Sequence, residues 1–366
     1  MTYVSTLGQA LDQAERIKIT QLQLSVLQTQ IATGKKTQLF EGLGSDVIAS
    51  KRAREGVVKL GNYMNNIDIA DRRLKMMVAA LNEAKAQAVA VLNAIEIQTQ
   101  QGEIELEAIS DLARNTANFL RDLLNEKDGD RYLFGGSETT TPPLSNTGTM
   151  DTYMITQLTN WANPALPALS ITTDELIASY RDRGQLLDTV MGYSAPLSSG
   201  TAKSVFVRVE DNAEIDYTVF ANMQGLRDIV AGVNMMANLD KVIDEVTRET
   251  DDPPLPGYVT APGATQQEQN DNFFQFFNDV AAMMNQALDR VDSELYQLSQ
   301  SQAQLAKIKE SHKLDQNILK DTIAQVEDAD MNEVAVKLNA LQIQLEASFR
   351  VTASISSLTL VNFLGP

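Results

Sequence analysis

Nine of the ten prolines in this chain lie between Pro142 and Pro262, and the tenth is Pro366. A proline inside a helix removes a backbone donor and clashes with the preceding turn, at a cost of about 3 kcal/mol. Two long arms are therefore free to be helical, and the middle of the chain is not. Both arms repeat apolar residues every three or four positions, right up to the two chain ends. Ends normally fray, so seams that reach them are expected to meet a partner. The pattern is that of an assembly protein rather than an enzyme.

The arms can be followed residue by residue. Val4, Leu7, Leu11 and Ala14 lead into Ile17, Leu24, Leu27 and Ile31, one narrow stripe on a helix. Gly34, Gly42 and Gly44 interrupt it, and Ser45 or Asp46 is placed to cap the next helix. That helix carries the cleanest seam: Leu60, Tyr63, Ile67, Ala70, Leu74, Met77, Leu81, Ala84, Ala88, Val91 and Ile95. Alternating steps of three and four over this length specify coiled-coil-like packing. A break near Gly102 precedes a third helix, through Leu106, Ile109, Ala113, Leu120 and Leu124, expected to stop near Gly129.

The middle reads differently. Thr139–Thr141 with Pro142-Pro143 is a linker, and Asn163-Pro164 and Ala195-Pro196 mark turns. Val205, Val207 and Val209 alternate with Phe206 and Arg208, and Ile215, Tyr217 and Val219 alternate likewise, so a β-hairpin turning at Asp211-Asn212 is expected. A short amphipathic helix follows with Leu226, Ile229, Val233, Met236 and Leu239, then an exposed loop over Asp251–Gly257. The second arm begins near Asp271. Phe273, Phe274, Phe276 and Phe277 at helical spacing read as core, and Leu288, Val291, Leu295, Leu298 and Leu305 share a face. Around Asp328-Ala329-Asp330 the apolar phase shifts, and a final seam runs through Val334, Leu338, Leu341, Leu345, Phe349, Ile355 and Leu358.

Burying these seven side chains gains less than ordering the backbone of about 35 residues costs, so this helix is marginal alone in water. The final seam therefore needs a partner, and the stripe from Val4 to Ile31 matches it in length and polarity. Even paired, the two leave apolar surface for neighbouring subunits, so both are expected to complete their folding on assembly. The candidate assembly residues are Val4, Leu7, Leu11, Leu24, Leu27, Ile31, Val334, Leu338, Leu341, Leu345, Phe349, Ile355 and Leu358.

The fold class that follows is mainly α: long terminal helices and a coiled-coil-like helical hairpin, with a central α+β domain inserted. The expected divisions are an N-terminal arm and turn at 1–44, a helical hairpin at 45–136 and a central outward-facing domain at 137–270. A returning helix at 271–327 and a C-terminal arm at 328–366 complete the chain.

Chemistry is sparse. There is no cysteine, which excludes disulfides, thiol catalysis and Cys-based zinc sites. His312 is the only histidine, so no His triad or cluster exists within one chain, and it is expected on an exposed helix face. Asp128 and Asp130 lack the spaced ligand set of a calcium loop and read as a polar turn. Glu103, Glu105 and Glu107 point away from one another on a helix. Gly135-Gly136 lacks the lysine of a phosphate loop. No catalytic residue, cofactor or metal is expected. The formal net charge of −18 argues against nucleic acid. No stretch reaches the ~20 apolar residues of a membrane span, and no cleavable secretory signal opens the chain.

Four stretches also carry a family resemblance. Gln325-Val326-Glu327-Asp328-Ala329-Asp330 is similar to the Glu-Asp-Ala-Asp signature before the last helix of the flagellin superfamily. Ile31-Ala32-Thr33-Gly34-Lys35, Arg131-Tyr132-Leu133-Phe134-Gly135-Gly136 and the ending Leu358–Leu364 resemble its hook–filament junction branch, the hook-associated protein 3 family. Where that branch has Pro-Ser-Asp-Asp-Pro, this chain keeps only Ser45-Asp46.

The resemblance implies a structural subunit of the bacterial flagellum, with its terminal helices as an inner tube. Such a subunit is exported through the type III channel without a cleaved signal, with an export chaperone as partner. It polymerises into a ring or helical layer joining hook to filament, with a hook-associated protein below and flagellin above, outside the cell. The alternatives are flagellin itself or a flagellin-like surface glycan-binding protein. The last would need a groove of aromatics from Trp161, Tyr153, Tyr180, Tyr193, Tyr217 and Tyr258.

Overall fold

The structure is a computed structural model, and it describes residues 2–101, 104–145, 148–162, 171–184, 186–243, 262 and 265–364. The fold is mainly α, as the proline distribution requires. Long helices occupy both arms: α1 (Thr2–Thr33), α2 (Val47–Gln101), α3 (Leu106–Leu124), α9 (Gln266–Glu327) and α10 (Met331–Leu364). Between them come the hairpin β1 (Lys127–Asp128) and β2 (Arg131–Tyr132), then α4 (Thr149–Ala162), α5 (Thr173–Arg181), α6 (Asp188–Met191) and α7 (Ala195–Ser198). The hairpin β3 (Phe206–Arg208) and β4 (Glu214–Asp216) leads into α8 (Gln224–Leu239). No helix among the described residues is long and apolar enough to cross a membrane.

The chain divides into two compact units, residues 1–62 with 310–366 and residues 63–309. The second unit holds the main core. All the seam residues of α2 from Ile67 to Ile95 are buried there, with Leu74, Ala88, Val91 and Ile95 fully inside. Antiparallel α9 runs along α2, with Lys85 Nζ 2.6 Å from Asp292, Gln302 Nε2 3.0 Å from Asp71 Oδ1, and Lys309 bonded to Asp68. Phe273, Phe276 and Phe277 are buried in edge-to-face contact, and Trp161 lies 4.9 Å from Phe276. These three are core, as their spacing indicated, while the fourth, Phe274, is half-buried at its edge, 5.8 Å from Phe273.

The β3–β4 hairpin forms with the expected alternation. Val207 pairs with Ile215 facing inward, while Phe206 pairs with Asp216 and Arg208 with Glu214 facing out. Helix α8 differs from the expected amphipathic element, because nearly every residue in it is buried. It packs against α3, α4 and α5. On the α9 side, a Cβ on Gly225 would come within 3.0 Å of the Ala287 carbonyl, and one on Gly232 within 2.9 Å of Met284 Cγ. A helix surrounded on every side has no polar face to keep.

Three smaller expectations are corrected. Helix α3 ends at Leu124 rather than near Gly129, because β1 and β2 take the following residues into a hairpin. Ala195-Pro196 opens α7 instead of a turn, since proline fits the first turn of a helix without losing a bond. His312 is buried rather than exposed. It lies seven and fourteen residues beyond Leu305 and Leu298, so it continues the α9 seam, and that spacing was visible in the sequence. The expected break at Gly102, the turn at Asn163-Pro164 and the loop Asp251–Gly257 lie outside the described residues, as do Glu103 and Tyr258.

Candidate assembly site

In the first unit α1 packs against α10, and the two run antiparallel from a turn where Lys35 bridges to Asp328. Their contact is a coiled-coil seam. Ile17, Thr20, Leu24 and Leu27 on α1, and Val334, Leu338, Leu341 and Leu345 on α10, are buried or half-buried in steps of three and four. Of the sequence-derived candidates, Leu24, Leu27, Val334, Leu338, Leu341 and Leu345 therefore belong to an intramolecular seam. Leu11, Ile31 and Phe349 are exposed. The side chains of Val4, Leu7, Ile355 and Leu358 lie outside the described residues, although their helices are described.

A second apolar stripe was missed. Ile19, Leu22 and Val26 on α1 are exposed, and so are Val336, Ala340, Ile343, Ala347 and Val351 on α10. These too are spaced by three and four residues, a signal the sequence contained beside the stronger seam. Between the helices, Leu22, Val26, Leu27, Ala340 and Leu341 line an open apolar groove of about 500 Å³. A helix with apolar residues on opposite faces wants cover on both.

The turn that sets this pair is a polar knot built from two of the sequence motifs. Gly34 has φ +69°, a conformation that L side chains rarely adopt, and its carbonyl accepts from the Ala329 N–H at 2.8 Å. Lys36 Nζ reaches the Gln325 and Val326 carbonyls at 2.7 and 3.0 Å, covering acceptors left open at the end of α9. Asp330 Oδ1 accepts from the Asn332 and Glu333 N–H groups and so caps α10.

At the centre is buried Glu327. It accepts from Ser50 Oγ at 2.5 Å, from Arg54 Nε and Nη2 at 2.8 and 2.6 Å, and from Lys35 Nζ at 3.4 Å. The bidentate Arg54 contact outweighs the opposing effect of burial and, with Ser50 and Lys35, lowers the Glu327 carboxyl to about 2. Lys35 is raised, chiefly by its 2.6 Å bond to Asp328.

A folded-state value below the ordinary one means that Glu327 adds stability above about pH 4.5. That contribution disappears as pH falls through about 2. Glu327→Gln should cost the first unit about 1–2 kcal/mol at pH 7, discounted for the half-exposed Arg54. Urea melts read by helicity at pH 7 and pH 2 check it: the two chains should differ at pH 7 and converge at pH 2. A difference unchanged between those pH values would remove the ion pair from the account.

The third motif lies in the other unit and closes its small hairpin. Phe134 is fully buried, and its carbonyl accepts from the Ala221 N–H at 2.9 Å. A Cβ on Gly135 would strike the Glu138 carbonyl, and one on Gly136 the Phe220 ring and the Lys203 carbonyl. Arg72 and Arg73 both hold Asp128, with Nε contacts of 3.1 and 3.0 Å. The Arg72 bond is the largest influence on Asp128 and carries its carboxyl below the ordinary value. Asp128 is thereby committed to the two arginines that brace the turn.

The segment that supplies one side of the knot and half of the groove matches a known family. Residues 281–364 match the bacterial flagellin C-terminal helical region. The flagellin-like stretch takes in the latter part of α9, the Glu327–Asp330 turn and α10. No curated protein sequence matches the chain. Among solved structures, a candidate flagellar hook-associated protein from Vibrio parahaemolyticus aligns at 12% identity and a TM-score of 0.43, covering 77% of this chain and 97% of its own. A likeness of that degree carries no weight for fold or function.

Proposed function

We propose that the protein is a structural subunit of the bacterial flagellum that polymerises through α1 and α10 and joins hook to filament. The observation that carries this reading is the coincidence of two features in one segment. The flagellin-like stretch, residues 281–364, includes the helix whose outward apolar stripe is exposed among the described residues. Flagellin-type ends are built to be covered by copies of themselves. The subunit forms a ring or helical layer, with a hook-associated protein below and flagellin above. It leaves the cell by the flagellar export route with the help of a chaperone, and its role is mechanical rather than catalytic.

The junction position rests on the motifs at Thr33-Gly34-Lys35 and Arg131-Tyr132-Leu133-Phe134, which resemble the junction branch more than flagellin. Against the glycan-binding alternative, Trp161, Tyr180 and Tyr193 are buried in the core of their unit, and of the aromatics that reading needs Tyr217 lines a pocket, beside Tyr132 and Phe206. Deleting the gene should leave hooks without attached filaments while flagellin escapes into the medium. Immunogold against residues 137–243 should mark one point near the hook. Label along the whole filament would establish flagellin instead, and label on cells without flagella would favour a surface binder.

A further inference from the structure

A pocket of about 330 Å³ opens in the second unit and uses no residue of α1 or α10. Helix α2 contributes Arg73 and Met77, the chain from Arg131 to Thr139 runs past it, and Ser204–Phe206 with Tyr217 and Thr218 complete the lining. Pockets that hold small ligands run to roughly 300–1,000 Å³, so this one suits a small molecule or the end of a longer one.

Part of the lining is already engaged and builds the wall. Arg73 is shared between Asp128 and the Tyr217 hydroxyl, at 3.0 and 3.4 Å. Thr218 Oγ1 accepts from the Val205 N–H at 2.6 Å and donates to the Val205 carbonyl at 3.2 Å. The rest has polar capacity to spare. Arg131 is exposed and its guanidinium makes no hydrogen bond or ion pair among the described residues. The half-buried hydroxyls of Thr139 and Ser204 are likewise without a partner there. Ser137 Oγ accepts from the Lys203 N–H at 3.0 Å and keeps its own O–H to donate. Closure of the β1–β2 hairpin accounts for Phe134, Gly135 and Gly136, but it uses neither this guanidinium nor these hydroxyls.

Two aromatic rings stand beside these groups. Phe206 is 53% exposed, and Tyr132 is half-buried with Lys127 Nζ 4.3 Å from its ring centroid. No carboxylate lines the pocket, which leaves a cation without a counter-charge. An anion is disfavoured for a different reason. Asp130, Glu138 and Asp216 adjoin lining residues in the chain, and residues 63–309 hold 18 Lys and Arg against 35 Asp and Glu, a net −17. A neutral molecule rich in hydroxyls is what the lining recognises. A pyranose ring carries hydroxyls around its rim for Arg131, Ser137, Thr139 and Ser204, and a face of C–H groups that packs on an aromatic ring.

We propose that this pocket binds a neutral saccharide unit, with Phe206 as the stacking ring and Arg131 as the principal hydrogen-bond donor. The site adds a ligand to an assembly subunit and shares no residue with the assembly helices, so it stands or falls apart from the flagellar reading. It needs none of Trp161, Tyr180 and Tyr193, whose burial tells against a chain built only to bind glycans.

Saturation-transfer NMR on the full-length chain, with glucose, galactose, mannose and N-acetylglucosamine as probes, tests it. At least one should bind saturably, with a dissociation constant of about a millimolar to some tens of millimolar. Phe206→Ala and Arg131→Ala should each weaken that binding by about tenfold. Both positions are exposed, so circular dichroism should show unchanged helicity in either variant. Absence of saturable binding by all four sugars overturns the site. Parent-like binding in either variant puts the sugar elsewhere and overturns it as well. Galacturonate binding about tenfold tighter than galactose would overturn the neutral class and make the pocket one for acids.

Discussion

Ile343→Asp and Leu22→Asp chains should unfold like the parent when isolated and fail to polymerise. Ile343 is 70% exposed and Leu22 59% exposed in the free chain, so a carboxylate there meets water and costs little. In the polymer the same carboxylate would be buried without a partner, at a cost of several kcal/mol per contact. Leu74→Asp makes the opposite case. Leu74 is fully buried on α2, and its replacement both empties apolar volume and inserts a charge, so a loss of about 4–5 kcal/mol is expected in the chain itself. Trp161, the one tryptophan, is fully buried in the same unit and reports its unfolding by fluorescence. Pelleting assays beside these melts separate the two classes. Equal destabilisation of the isolated chain by Ile343→Asp and Leu74→Asp would end the claim that the outward stripe is reserved for neighbours.

Arg227→Met should destabilise the second unit by about 3–5 kcal/mol. Arg227 is 0% exposed, and its guanidinium does four things at once. Nε meets Asp188 Oδ1 at 3.0 Å, Nη1 donates to the Tyr180 and Arg181 carbonyls at 3.1 Å each, and Nη2 donates to the Leu186 carbonyl. The arginine thus ties α5, the segment before α6 and α8 together. Its loss strands three carbonyl acceptors and leaves Asp188 with only the Asn222 amide, 2.7 Å from Oδ2. Adding Asp188→Asn removes the unpaired charge, so the double variant should recover part of the loss. Urea midpoints read by Trp161 decide it. A shift no larger than that of a surface substitution, about 0.5 kcal/mol, would show that the network is not what holds these short elements in place.

The long helices were legible because their signal is local and repeated. Proline exclusion and an unbroken run of three- and four-residue steps mark α2, α9 and α10 without reference to anything distant. The β3–β4 hairpin was legible for the same reason, with the period changed to two. His312 was misplaced because residue type was weighed above position: a histidine reads as surface, while its seven-residue interval from Leu305 put it in the seam.

Other features could not be read from the chain alone. The Ile31–Lys35 and Glu327–Asp330 stretches are recognisable separately, yet only the fold brings Lys35 and Arg54 onto Glu327 across more than 270 residues. The division of apolar residues on α1 and α10 into an inner seam and an outer stripe was likewise a tertiary decision. Both sets obey helical spacing, and which one turns inward depends on the rotation of each helix against its partner. Nothing in the local sequence singles out Arg227; its burial arises only where elements on several sides close around α8. Periodicity in this sequence determined which segments are helices and how long they run. Which of their faces are used up within the chain, and which remain for another copy, was decided by packing, because burial is a property of neighbours and not of the residue.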